Sequence, residues 1–213
     1  MAWKIWGTNR IGGADKEIEA SESGAMFVAP GASKYEDICR SGMLFSAITT
    51  TATVSCTALP TTTAGIALYN SAADGGVSMI VDAIFANQIT CQNILSQYGL
   101  IYVLGQTRVA ALAGGLVIRR MNGLGPTTNS VCLANAGGAV LDAVTGVAIG
   151  WTPIGPTANT SVVSLPGAVL YAEVDGRLII PPGHQFGVNV MGGDATGTWN
   201  CGVIWHEKQI TLG

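Results

Sequence analysis

From residue 43 to the carboxyl end, the chain is a succession of short β-prone runs, each cut off by residues that reverse or stiffen the backbone. The runs read as strands are 49–54, 66–70, 77–86, 100–104, 116–121, 131–133, 147–151, 161–165, 168–173, 178–180, 186–191 and 199–207. Between them stand Asp74-Gly75-Gly76, Asn122-Gly123, Gly137-Gly138, Asp175-Gly176, Pro181-Pro182-Gly183 and Gly192-Gly193-Asp194. Asn-Gly and Asp-Gly supply the positive-φ residues that tight hairpins need. Proline ends strand pairing sharply because it lacks an N–H donor. Many short strands at regular spacing with Gly/Pro turns indicate a sandwich or jelly roll. No repeat of 20–50 residues marks a propeller or solenoid. Only 90–97 and 138–144 read as short helices. The expectation is an all-β, antiparallel jelly-roll sandwich over residues 43–213, preceded by an extended N-terminal arm over 1–42.

Side-chain alternation refines two strands. Val77, Met79, Val81, Ala83 and Phe85 alternate with Ser78, Ile80, Asp82, Ile84 and Ala86, the period-two pattern of a half-buried strand. Trp199 and Trp205 stand an even number of residues apart, so an extended strand puts both on one face, with Cys201 and Val203. That face is either core or a seam between subunits. His206 reads as a polar residue at a strand end or at such a seam.

Charge is scarce and unevenly placed. The 213 residues carry 10 Lys+Arg and 13 Asp+Glu, a net charge of −3, and 29 glycines. Charged residues are 11% of the chain, less than half the usual ~25%. Eleven of the 23 fall within residues 1–40. The body must therefore clothe itself with Ser, Thr, Asn, Gly and Ala, a neutral surface suited to burial against other copies. An ion there would lose its hydration without repayment. The balance lacks the basic stripe that nucleic-acid binding requires, so no nucleic-acid partner is expected. In the arm, Trp3 and Trp6 read as anchors. Burying an aromatic side chain is worth roughly 1.5–3 kcal/mol, so they should dock on the chain's own body or on a neighbour.

Compartment and chemistry follow from what the motifs lack. The five cysteines, Cys39, Cys56, Cys91, Cys132 and Cys201, are scattered, with no C-x-x-C pair, and read as free thiols made in a reducing compartment. Met1-Ala2-Trp3-Lys4 has no apolar signal region. The apolar segment 100–118 holds Arg108 near its centre; a charge at mid-bilayer costs ~2.5–3.5 kcal/mol. That segment reads as two buried strands joined by a turn, with no membrane partner expected. A metal site would have to gather His184, His206 and Glu207 or Asp194, which are far apart and lack a ligand spacing. Glu173-Val174-Asp175 sets two acids on one strand face, but the following Gly176-Arg177 makes it a hairpin tip rather than a glycosidase pair. No G-x-S-x-G or phosphate-binding glycine pattern occurs. The expectation is a non-enzyme with no catalytic residue, no metal and no cofactor.

The run from Gly176 through Pro181-Pro182-Gly183-His184 to Val188, and the final Trp199 to Trp205-His206-Glu207, resemble bacteriophage jelly-roll virion proteins. In those, a strand enters a Pro-Pro-Gly turn and the last strand ends in Trp-x-Glu or similar. Gly42 to Ala47 and Gly65 to Asn70 are similar to the opening strands of that group. The resemblance covers residues 42–213 in patches and leaves the arm unaligned. It implies a trimeric, tumour-necrosis-factor-like sandwich: a capsid cement or decoration protein on the virion surface, synthesised in the host cytoplasm. Its implied partners are two further copies and the major capsid protein. The alternative it allows is the receptor-binding head of a tail fibre or spike.

Overall fold

A computed structural model of the protein describes residues 5–8, 15–18, 35–91, 95–125, 129–141, 150–160 and 167–210. The chain divides into two compact units, Met1–Asp37 and Ile38–Gly213. The amino-terminal unit is not extended throughout. Strands β1 (Ile5–Thr8) and β2 (Asp15–Ile18) pair antiparallel, from Ile5 opposite Ile18 to Thr8 opposite Asp15. A five-residue helix, α1 (Glu36–Arg40), falls at the division and carries acids in its first turn and Arg40 in its last.

The second unit is all-β, with two antiparallel sheets packed face to face. Its strands are β3 (Leu44–Ile48), β4 (Thr53–Val54), β5 (Thr63–Asn70), β6 (Val77–Thr90), β7 (Ser96–Leu104) and β8 (Arg119–Arg120). They continue as β9 (Cys132–Val140), β10 (Thr152–Thr160), β11 (Val169–Ile180), β12 (Gln185–Gly192) and β13 (Thr198–Gln209). One sheet has the order β10-β7-β12-β5-β9 and the other β11-β6-β13-β3-β8, with β4 paired to β13. The core between them takes Ile66, Leu68, Leu100, Phe186 and Val188 from the first sheet. Phe45, Met79, Val81, Ile84, Trp199, Val203 and Trp205 come from the second.

The short turns hold a surprise. Asp74-Gly75 lies between β5 and β6, Pro181-Pro182-Gly183 between β11 and β12, and Gly192-Gly193-Asp194 between β12 and β13. Each joins a strand of one sheet to a strand of the other. A positive-φ residue permits a sharp reversal, but whether the returning strand pairs with its predecessor depends on where the core lies. Two other expected turns are irregularities inside strands. Gly137 and Gly138 together face Gly65, since Ala136 pairs with Ile66 and Ala139 with Ala64; this is a β-bulge. Likewise β11 runs past Asp175-Gly176 without reversing, pairing through Glu173 with Ala83 and again from Leu178 with Val81. The four residues between form a protrusion with Asp175 (φ 60) and Gly176 (φ 78) left-handed. Arg177 pins it by donating to the carbonyls of Val174 at 2.8 Å and Glu173 at 2.7 Å. It is not a hairpin tip.

Other expectations need correcting. Residues 90–97 are not a helix where described: Thr90 ends β6 and Ser96 begins β7. Of 138–144, Gly138 to Val140 belong to β9 and 142–144 lie outside the described residues. Within 49–54 only Thr53–Val54 is strand, and within 116–121 only Arg119–Arg120. Trp151 precedes β10 rather than ending a strand. The expected strand 161–165 lies outside the described residues. The apolar segment 100–118 supplies the latter half of β7 and then an irregular stretch. There, Gly115 and Leu116 donate their N–H groups to the Ala134 carbonyl at 2.8 and 2.9 Å. Among the described residues no helix is long and apolar enough to cross a membrane.

A second apolar cluster sits on the outer face of the five-stranded sheet. Ala67, Ile101 and Val103 alternate with the core residues of β5 and β7, and Leu112, Leu141 and Trp151 cover them. The absence of a side chain at Gly187 makes room: a Cβ there would lie 2.9 Å from Leu141 Cδ1.

Candidate functional site

Strand β13 carries most of the residues singled out from the sequence. Trp199, Cys201, Val203 and Trp205 are all fully buried in the core. Tyr98 packs on Trp199 with ring centroids 5.1 Å apart, and Phe45 on Trp205 at 6.0 Å. These two tryptophans are therefore core, not seam. Trp3 lies outside the described residues; Trp6 falls in β1, opposite Glu17 of β2.

His206 points the other way. Its Nδ1 is 2.8 Å from Asp82 Oδ2 and 3.1 Å from Oδ1. The pair exists because β6 bulges: Ile204 pairs with Ala83 and Trp205 with Val81, leaving Asp82 without an opposite residue. The bulge also shifts the strand's parity. Its core residues are Met79 and Val81 before it, then Ile84 and Ala86 after it. The strict alternation expected from 77 to 86 is thus broken, and over Ser78–Ile84 this central strand is buried on both faces rather than one.

Glu207, two residues past Trp205, shares its face. It is buried, and its carboxylate accepts from Ser130 Oγ at 2.5 Å, from Val131 N at 3.2 Å and from Trp205 Nε1 at 3.3 Å. The Trp-x-Glu ending thus has a physical reading: the indole and carboxylate bond to each other inside, while the intervening histidine faces out.

The remaining candidates are dispersed. His184 caps the Pro-Pro-Gly corner, Nδ1 3.0 Å from the Pro182 carbonyl. Asp194 sits at another corner. It accepts from Tyr98 Oη at 2.7 Å, Thr196 Oγ1 at 2.5 Å and the N–H groups of Thr196 and Gly197. Hydroxyl bonds, led by that of Ser96, hold its carboxyl well below the usual carboxylate range. Burial, reinforced by Asp194, pushes Tyr98 up to about 12. Among the described residues no three His, Cys, Asp or Glu side chains are grouped as metal ligands. All five cysteines are free. Burial pushes the Cys201 thiol up to about 12 and Cys132 well above its ordinary value, which keeps both protonated and poor nucleophiles.

Sequence reasoning missed one residue that organises the fold. Asn70, fully buried at the end of β5, donates through Nδ2 to the carbonyls of Val77 at 3.0 Å and Ile180 at 2.9 Å. Its own carbonyl accepts from Gly183 N at 2.8 Å. It ties the β5–β6 corner to the β11–β12 corner. The one signal was an amide ending an apolar run.

The surface best suited to contact is the outer face of the six-stranded sheet. Residues directly opposite in an antiparallel ladder share a face, so the registers define rows across it. Tyr171, Phe85, Gly202 and Ile48 form one row. Val169, Asn87 and Asn200 flank it on one side, and Glu173, Ala83, Ile204, Ser46 and Arg119 on the other. Val169, Tyr171 and Ile48 are 60%, 46% and 41% exposed, whereas Ile80 and Asp82 further along this face are buried. The exposed half carries an apolar row, Tyr171, Phe85 and Ile48 about the buried Gly202, with Val169 beside it and polar or charged residues on both flanks. Comparison with models of known protein families and with curated proteins returns no match.

Proposed function

We propose that the chain is a non-catalytic structural subunit of a bacteriophage virion, a jelly-roll homotrimer that binds the major capsid protein as cement on the capsid surface. The observation that carries this reading is the poverty of charge on the body. Beyond residue 40 only twelve charged side chains remain, and two of these, Asp82 and Glu207, are buried. At most ten are left for the surface of the remaining 173 residues, and the outer face of the six-stranded sheet carries exposed Val169, Tyr171 and Ile48. Such a subunit acts through buried area rather than chemistry. Obligate interfaces bury about 2,000 Å² or more, and repetition over a symmetric shell multiplies weak contacts.

Sedimentation of the purified chain at micromolar concentration tests the self-association. A trimer mass is expected, with Tyr171→Lys or Ile48→Asp shifting the population toward smaller species. A wild-type chain that sediments as a lone protomer overturns the proposal. Mixing with purified capsids, with bound copies counted per particle, then tests the cement role against a fibre head. Hundreds of copies are expected for a capsid-wide cement.

A further inference from the structure

We propose that Asn122-Gly123 is a self-modifying site, at which the Asn122 carboxamide is lost through attack by the next backbone nitrogen. It is the chain's sole Asn-Gly pair, and Asn122 stands two residues beyond the end of the short strand β8. Three features of the fold favour the reaction. Asn122 Oδ1 accepts a hydrogen bond from Leu124 N at 3.1 Å, which folds the carboxamide over the backbone of residues 123 and 124. Gly123 is exposed and left-handed (φ 74), and nothing lies within 4 Å of where a Cβ would sit, so the space beside this residue is open. That nitrogen's own bond, to the Arg120 carbonyl, is long at 3.4 Å, close to the limit of a useful hydrogen bond.

The atoms balance without an oxidant. Gly123 N gives its proton to solvent and forms a bond to Asn122 Cγ; the C–N bond of the carboxamide breaks, and its nitrogen takes a proton from solvent and leaves as ammonia. The product is a five-membered succinimide. Water then opens it at either carbonyl, leaving aspartate or its isomer with the chain running through the side-chain carbon. Either product places a new carboxylate two residues beyond Arg120, on the edge where β8 pairs with Phe45 and Ser46. The isomer also lengthens the backbone at the exit of β8.

Asn70-Ser71 is the internal comparison. It has the same local fold, Asn70 Oδ1 accepting from Ala72 N at 3.0 Å. Its carboxamide, however, is fully buried and donates to two carbonyls, which hold it away from attack and exclude the water needed to finish.

The experiment incubates the full chain, folded or unfolded in urea, in warm, mildly alkaline buffer and follows peptide masses and elution positions. Asn122 in the folded chain should convert at a rate within about tenfold of the unfolded chain, a barrier difference under about 1.4 kcal/mol, while Asn70 converts only when unfolded. Gly123→Ala should slow conversion, because its methyl group crowds the attacking nitrogen. Protection of Asn122 by more than that tenfold overturns the proposal. So does conversion at an unchanged rate in Gly123→Ala, since the backbone nitrogen would then not be the nucleophile.

Discussion

Replacing Glu207 by Leu should remove about 3 kcal/mol of stability. The carboxylate is buried and accepts from a hydroxyl, a backbone N–H and an indole N–H. Hydrogen bonds to a charged group are worth roughly 1.5–3 kcal/mol, and a buried donor left unpaired costs about 1–3 kcal/mol. All three donors meet at Oε1, and Leu leaves Ser130 Oγ, Val131 N and Trp205 Nε1 without that acceptor. With a urea m-value of about 2 kcal/mol/M, the midpoint should fall by roughly 1.5 M. Glu207→Gln should cost less, because an amide oxygen in the place of Oε1 still accepts from all three donors and only the second contact of Val131 N, to Oε2 at 3.2 Å, meets an amide group.

The assay is urea unfolding followed by tryptophan fluorescence, which also reports on Trp205. Glu173→Gln is the control: Glu173 is exposed, and surface substitutions stay within about 0.5 kcal/mol. A Glu207→Leu protein within about 1 kcal/mol of wild type, at unchanged m, would refute the reasoning. It would mean that desolvating the carboxylate already offsets what its three bonds return.

Three further outcomes follow from the same geometry. Because Asp194 is held below the usual carboxylate range, its stabilisation is complete above the unfolded value near 4 and fades as pH falls below it. Asp194→Ala should therefore flatten the acid limb of the stability–pH curve. Tyr98, pushed up to about 12, favours folding fully below its unfolded value near 10 and loses that contribution as pH rises toward 12. Phenolate absorbance should show one late-titrating tyrosine that disappears in Tyr98→Phe. A Cβ at Gly202 would lie 2.3 Å from Phe85 Cζ, so Gly202→Ala should cost about 1–3 kcal/mol by overpacking. Adding Phe85→Ala should recover part of that in a double-mutant cycle.

What the sequence could and could not disclose divides along physical lines. The face shared by Trp199, Cys201, Val203 and Trp205 was legible because β13 keeps its parity from one core residue to the next. Strand β6 was not, because one unpaired residue, Asp82, exchanges its two faces, and nothing in a local pattern announces a bulge. The Gly-rich positions were recognisable as places where the chain bends. Their consequence ranged from corner between sheets, at Pro181 to Gly183, to bulge within a strand, at Gly137 and Gly138. That choice depends on distant partners such as Asn70, which holds two corners by hydrogen bonds spanning over a hundred residues. The cover of Leu112, Leu141 and Trp151 over the five-stranded sheet was likewise invisible, since loops show no periodicity.

That cover exposes an asymmetry bearing on association. The chain uses irregular segments to hide the outer face of one sheet and leaves half of the other bare. The bare strip spans four strands at ~4.8 Å and a strand length of ~14 Å, or on the order of 200 Å². A standard interface needs about 800 Å² from each partner, four times as much. Tyr171, Phe85, Val169 and Ile48 can thus form the dry centre of a contact but not the whole of it. The surrounding rim must supply the rest: Asn87 and Asn200 lie on one side, and Ser46 with the charged Glu173 and Arg119 on the other. A rim with so few charges desolvates at lower cost than the ~25–35% charge of an ordinary surface. In the proposed assembly, then, the sparse charge and the bare strip are two parts of one device: the strip sets where copies meet, and the sparsely charged rim lets the contact grow to a size that holds.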